Sequence, residues 1–138
     1  MSKIKNLIDN LCSSGINYEK LENLLDYIAM DIKAPIDKYE FIVNCNVNIE
    51  NIKKSIELIK NSGVDYEFRT TVLKSQLSYG DFEKIGKTIS CAKKYYLQKF
   101  IASKILDENL MNEKTYSDEE FEEIKNILKN NIDFVDVR

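Results

Sequence analysis

Short runs of strand-forming residues alternate along this chain with helical segments, and this alternation limits the folds that it can adopt. Runs rich in aromatic and β-branched residues predict strands at 26–33, 65–73, 93–102 and 132–137. Amphipathic segments of about a dozen residues separate these runs. A strand, a crossover helix and a second strand form a right-handed unit, so the pattern predicts a parallel sheet.

The helical segments have recognisable ends. Each of the three helical segments between the strands is preceded by a side chain that can cap a helix N-terminus. A glycine also follows the first of these three segments. These residues are Asn48 and Gly63 around a helix at 49–62, Ser78 with Asp81, and Ser117 with Glu120. Two further helices are predicted before the first strand, over 3–11 and 17–25. The predicted order of elements is therefore α-α-β-α-β-α-β-α-β.

The length of the chain sets the size of the sheet. With 138 residues it can form one domain around one core, and no repeat or linker divides it. Four strands are too few for a closed eightfold barrel, which needs about 250 residues. We therefore predict a single α/β domain over 1–138. Its fold is a partial (β/α) barrel of about four parallel strands with crossover helices, and it has an open edge at the first strand.

Composition argues against several classes of function. The 20 basic and 23 acidic residues are mixed along the chain, give a net charge of −3 and form no basic stripe for nucleic acid. No apolar run approaches the roughly 20 residues of a membrane helix, and the N-terminus does not resemble a signal peptide. Histidine is absent, and Cys12, Cys45 and Cys91 lie more than thirty residues apart. This spacing gives no metal motif and indicates reduced thiols in a cytoplasmic protein.

Charged and amide side chains stand near the ends of three predicted strands, where the functional residues of parallel sheets gather. Alternation places Asp31 and Lys33 on one face of the first strand. Arg69 shares a face of the second strand with Glu67, and Gln98 is near the end of the third. Charges inside a covered sheet are costly unless they are paired or solvated in a cleft. Two interpretations stay open: a ligand cleft, or a structural network of ion pairs among the four charged residues.

A resemblance to one family is carried by four segments, MDIKAP, SIELIKNSGVDYEFRTTV, YYLQKF and the closing IDFVDVR. They resemble the C-terminal half of anaerobic ribonucleoside-triphosphate reductase activating proteins. Those proteins are members of the radical S-adenosylmethionine superfamily and are similar to the pyruvate formate-lyase activating enzyme. The resemblance covers residues 13–138 in order and spacing, and it leaves 1–12 unmatched.

The resemblance implies a chemistry and a set of ligands. Family members hold a four-iron four-sulfur cluster through a CxxxCxxC loop. With S-adenosylmethionine, the cluster yields a 5′-deoxyadenosyl radical that takes a hydrogen atom from a glycine of the partner reductase. By this resemblance Asp31 and Lys33 lie near S-adenosylmethionine, Arg69 faces the same cleft and Gln98 closes it. These four are the expected cofactor-binding residues, and no catalytic or metal-ligating residue is predicted.

The sequence departs from the family where the cluster would be held. It contains no CxxxCxxC and no glycine-rich strand after such a motif. Leu73-Lys74 and Ile101-Ala102 stand where relatives carry Val-Pro and Arg-Pro pairs. Since three scattered cysteines are a poor ligand set, we expect no iron-sulfur cluster on this chain.

These departures lead to three hypotheses about function. The first is a truncated glycyl-radical activase that is inactive alone. The second is a binding module for the reductase without chemistry, and the third is one half of a split activase. The expected partner is the anaerobic ribonucleoside-triphosphate reductase or a missing N-terminal half. The open edge of the first strand would also allow self-association.

Overall fold

The described part of the chain contains four strands and four α-helices, with two helices between the first two strands and one helix in each later connection. The structure is a computed structural model and describes residues 26–100 and 115–138. The strands are β1 (Tyr27–Asp31), β2 (Asp65–Val72), β3 (Lys94–Lys99) and β4 (Phe134–Val137), and the helices are α1 (Tyr39–Val43), α2 (Ile49–Lys60), α3 (Tyr79–Thr88) and α4 (Asp118–Leu128). The helices predicted over 3–11 and 17–25 lie outside the described residues.

The strands form one parallel sheet in which they lie side by side in chain order, β1-β2-β3-β4. The register pairs Asp31 with Arg69, and Arg69 with Tyr96 on the next strand. Within the described ranges, β1 pairs with β2 alone, and the sheet does not close. The predicted fold class, an unclosed α/β sheet of four parallel strands, is confirmed.

Three helices begin at the predicted capping residues. The side chain of Asn48 accepts a hydrogen bond from the backbone N–H of Asn51 at 3.1 Å. Ser78 and Asp81 complete both bonds of a capping box at the start of α3, and the box before α4 is likewise complete. Gly63, between α2 and β2, has φ +77°, which is the left-handed conformation predicted for it.

The structure also differs from the predictions in places. The short helix α1 and the 3₁₀ turn at Ile36–Lys38 before it were not predicted, because elements this short carry no periodicity. The third strand ends at Lys99 rather than continuing to 102. Cys91 follows the end of α3 with φ +69°, and Cys45 and Cys91 are both exposed free cysteines.

The core lies on one face of the sheet. Right-handed crossovers between strands in chain order place their helices on the same side. The buried side chains of α2, α3 and α4 therefore pack against a single set of strand residues, which are Ile28, Met30, Ile32, Tyr66, Phe68, Val72, Tyr95, Leu97 and Val135. Thr70 is the polar member of this face, and its hydroxyl donates to the carbonyl oxygen of Ile32 at 2.6 Å and contacts the Tyr95 hydroxyl.

Asp81 joins the core helices to the segment after β1. Its buried carboxylate accepts hydrogen bonds from Nζ of Lys38 at 2.8 Å and from the backbone N–H of Ser78 at 2.9 Å. Burial alone would raise the pKa of Asp81, but the hydrogen bonds from Lys38 and Ser78 outweigh burial and hold the pKa below its ordinary value of 3.8. The carboxylate thus stabilises the fold in its charged form.

We expect Asp81→Asn to lower the free energy of unfolding by about 2 kcal/mol at neutral pH, since an ion pair and part of a cap are lost. The folded pKa is the lower one, so this stabilisation is complete above 3.8 and is lost as the pH falls through the folded pKa. Urea unfolding from neutral pH into acid measures the difference. Glu83→Gln, at an exposed site on the same helix, is the control and should cost less than about 0.5 kcal/mol. If Asp81→Asn were still less stable than the unaltered chain in acid, a stabilising role for the charged carboxylate would be contradicted.

Candidate functional site

The face of the sheet opposite the core is polar. Side chains alternate along each strand, so the residues that do not enter the core project from the other side. The polar members of this face are Tyr27, Asp31, Asp65, Glu67, Arg69, Thr71, Lys94, Tyr96, Gln98, Asp136 and Arg138, together with Lys33 just after β1, and Ala29 and Phe134 are its apolar members. Parallel sheets are usually covered by helices on both faces. In the described ranges, the buried helix residues pack on the apolar face, and most of the charges of the polar face pair with one another.

Asp31 lies between two cations at the carboxyl end of β1. Its carboxylate accepts from Nζ of Lys33 at 3.0 Å and from Nε of Arg69 at 3.1 Å. The side chains of Asp31 and Arg69 are each about one-quarter exposed, and that of Lys33 is half exposed. One acid with two bases leaves this group with a net positive charge. The arrangement can therefore attract an anionic group while Asp31 still accepts hydrogen bonds.

Gln98 lies beside this group on the third strand. In the register it pairs with Thr71, two residues beyond Arg69 on β2, and its Oε1 atom accepts from the Thr71 hydroxyl at 3.3 Å. The structure thus brings Asp31, Lys33, Arg69 and Gln98 to one face, near the carboxyl ends of three adjacent strands. Their placement is as the sequence predicted, and their role as cofactor-binding residues stays a prediction.

Glu67 belongs to a second ion pair rather than to the group around Asp31. Its carboxylate accepts from Nη1 and Nη2 of Arg138 at 2.9 and 3.4 Å, and from the Tyr27 hydroxyl at 3.0 Å. The guanidinium of Arg138 lies over the ring of Tyr96, with Cζ 3.5 Å from the ring centroid. The hypothesis of one network joining Glu67 to Asp31, Lys33 and Arg69 therefore needs correction, because the charges form two separate groups.

The second group contains the residues that the sequence analysis missed. Burial, then the hydrogen bond with Glu67 and its charge, raise the pKa of Tyr27 to about 12. Tyr96 and Arg138 stand on the same face as the predicted site, and period-two alternation along the third and fourth strands could have identified both. Their link to Glu67 carried no signal in the sequence, since Arg138 and Glu67 are 71 residues apart.

The described residues do not fit an iron-sulfur cluster. Cys45 lies before α2, near the carboxyl ends of the strands. Cys91 lies before β3, near the amino ends of the strands. Cys12 lies outside the described ranges. Among the described residues no group of three histidine, cysteine or acidic side chains could hold a metal ion. In the same residues no helix has the length and apolarity needed to cross a membrane.

A sequence relative and a solved structure are similar to the chain over most of its length. The relative is the putative glycyl-radical enzyme activating enzyme of Methanocaldococcus jannaschii, 33% identical over 135 residues. The match covers 91% of this chain and 56% of the relative, so the chain spans about half the length of the curated relative that it matches. No family model matches the chain.

The solved structure is a domain of pyruvate-formate lyase-activating enzyme from Bacteroides vulgatus, with a TM-score of 0.62 and 10% identity. The superposition covers 99% of this chain and 92% of that domain. At this identity the likeness shows the fold. The sequence relative confirms the resemblance to activating enzymes of glycyl-radical enzymes, and the solved structure shows the shared fold.

The carboxylate of Asp31 pairs with both Lys33 and Arg69, so we expect its removal to cause a loss of stability that depends on salt. In Asp31→Ala, Lys33 and Arg69 become neighbouring like charges, and we expect the free energy of unfolding to fall by about 1 kcal/mol at low ionic strength. High salt should restore much of this loss, because it screens the repulsion. Asp37→Ala, which removes an exposed pair with Lys84, is the control in urea unfolding. A loss in Asp31→Ala that is equal at low and high salt would contradict the charge sharing.

Proposed function

We propose that this chain, a homologue of part of a glycyl-radical enzyme activating enzyme, provides the S-adenosylmethionine-binding face of such an activase. The observation that carries the proposal is the position of Asp31 between Lys33 and Arg69 on the polar face. Substrates and cofactors of α/β sheets bind beyond the carboxyl ends of the strands, and this group lies there. Similarity over half of the relative's length supports the family chemistry for the whole protein of which this face would be a part.

The donors and acceptors of the group match the amino-acid end and the ribose of S-adenosylmethionine. Arg69 offers a planar fork and Lys33 a point charge, and both suit a carboxylate. Asp31 accepts from two cations and has lone pairs left for an amine or a ribose hydroxyl. The amide of Gln98 would hold a further polar group at the edge of the cleft. In this proposal Asp31, Lys33, Arg69 and Gln98 bind and orient the cofactor.

The iron-sulfur cluster would be held by residues outside this sequence, since Cys45 and Cys91 lie at opposite ends of the sheet and cannot share a cluster. The cofactor and the cluster supply the radical chemistry in activating enzymes of this kind. An N-terminal part or a separate chain would complete the activase, and a glycyl-radical enzyme in the cytoplasm would be its partner. We propose the anaerobic ribonucleoside-triphosphate reductase as that partner, on the sequence segments that resemble its activating proteins.

A second candidate function is favoured by the same cysteine positions. A chain without cluster ligands in its described residues could bind the glycyl-radical enzyme and carry out no chemistry. The outer edge of β1, which pairs with β2 alone among the described strands, would receive the completing strand, a partner or a second copy of the chain. A binding role and a split activase differ in whether the polar face binds S-adenosylmethionine.

Calorimetric titration with two ligands tests the proposal. S-Adenosylmethionine and methylthioadenosine share the nucleoside, but only the first carries the amino acid. We expect the chain to bind S-adenosylmethionine about tenfold more tightly, because Lys33 and Arg69 pair with its carboxylate. Arg69→Ala should abolish this preference. Lys84→Ala, an exposed lysine on α3, should leave it unchanged. Equal affinity of the unaltered chain for the two ligands, or a preference retained in Arg69→Ala, would contradict the proposal.

A further inference from the structure

Glu67 is a buried carboxylate at the centre of the polar face, and it requires a cation. Its side chain is 8% exposed, and β2 has a neighbouring strand on each side. A buried charge without a partner is strongly destabilising. Arg69 lies two residues further along the same face, about 7 Å away along the strand, which is within reach of an arginine side chain. Two cations of this face stand near Glu67: Arg69, and Lys94, which is opposite Glu67 on β3. Arg69 pairs with Asp31 instead, and the ammonium of Lys94 lies over the Tyr27 ring.

Arg138, rather than Arg69, forms the ion pair with Glu67. It comes from the end of β4, two strands away from β2, and crosses the ring of Tyr96 to make two bonds to Glu67. Its backbone is fixed in the sheet, because its N–H donates to the Leu97 carbonyl at 2.8 Å and its carbonyl accepts from Lys99 N–H at 2.9 Å. Arg138 lies two strand spacings, about 10 Å, across the sheet from Glu67 and further along it, and its guanidinium stacks on the Tyr96 ring between them.

Two groups of charges lie at the centre and at the carboxyl end of the polar face. Glu67 forms its ion pair with Arg138 and accepts from the Tyr27 hydroxyl, and the ammonium of Lys94 lies over the Tyr27 ring at 5.6 Å. Asp31 has two cations, so its group carries one positive charge in excess. Without Arg138, Glu67 would compete with Asp31 for Arg69, and Lys94, opposite Glu67 on β3, would be the other cation on this face. The attraction to Glu67 would draw the Arg69 guanidinium away from the carboxyl end of the sheet.

We propose that Arg138 is a positioning residue for the candidate site. By occupying Glu67, it keeps Arg69 beside Asp31 at the carboxyl end of the polar face, where the carboxylate of a ligand would bind. The ring of Tyr96 packs against the guanidinium of Arg138, and the Tyr27 hydroxyl donates a further hydrogen bond to Glu67. The inference rests on the proposed function only for the identity of the ligand. The position of Arg69 can be tested without any ligand.

The first test observes the side-chain Nε–H signal of Arg69 by NMR, assigned by its disappearance in Arg69→Lys. In Arg138→Gln this signal should move, because Arg69 turns toward the unpaired Glu67. In the double variant Glu67→Gln with Arg138→Gln it should return to its original position, because the competing charge is gone. Where Arg138→Gln does not fold, Arg138→Lys replaces it, and its single ammonium should give a smaller shift. An Arg69 signal that stays in place in the single variant, or that moves equally in the double variant, would overturn the proposal.

The second test measures S-adenosylmethionine affinity in the same proteins. Arg138→Gln should weaken binding by about tenfold although Arg138 does not contact the group around Asp31, and the double variant should restore it. Lys53→Gln, an exposed lysine on α2, should have no effect. Loss of affinity that the double variant does not restore would indicate a purely structural role and would overturn the proposal. If the unaltered chain binds no S-adenosylmethionine, the proposed function fails, while the NMR shifts still decide the role of Arg138.

Discussion

The order of the strands governs the rest of this structure. Because β1 to β4 lie side by side in chain order, the crossovers place α2, α3 and α4 on one face of the sheet. That face is closed by an apolar core. Among the described residues the opposite face is mostly polar, and its ion pairs join neighbouring strands. A polar face of this kind suits a ligand or a further element of a longer sheet.

Electrostatic pairing satisfies the charges of the polar face. Glu67 is the most buried of the paired charges there, and it accepts hydrogen bonds from the guanidinium of Arg138 and the hydroxyl of Tyr27. Asp31 and Arg69 are each about one-quarter exposed, and Lys33 is half exposed at the end of β1. The face therefore combines a buried carboxylate near its centre with a positively charged group at the carboxyl end of the strands.

Local signals in the sequence predicted much of this fold. They did not predict which charged residues pair when these lie far apart in the chain. Asn48 and Ser117 mark helix starts through bonds to residues three positions away, so they could be recognised in order along the chain. Strand alternation placed Asp31 and Lys33 on one face of the first strand, and the family resemblance predicted that Arg69 faces the same cleft. The pairing of Glu67 with Arg138 depends on the twist and spacing of three strands, which no local pattern encodes. Helix α1 was missed because tertiary contacts, including the burial of Tyr39, hold so short an element.

We propose the carboxyl end of the polar face as a ligand site, and titration of the isotope-labelled chain with S-adenosylmethionine, followed by amide NMR shifts, tests this assignment. We expect the largest shifts at Ile32 and Lys33 after β1, at Thr70 and Thr71 at the end of β2, and at Gln98 on β3. Amides in the middle of α2 and α4, behind the apolar core, should stay in place. Shifts confined to those helices, or no shifts at millimolar ligand, would contradict the claim.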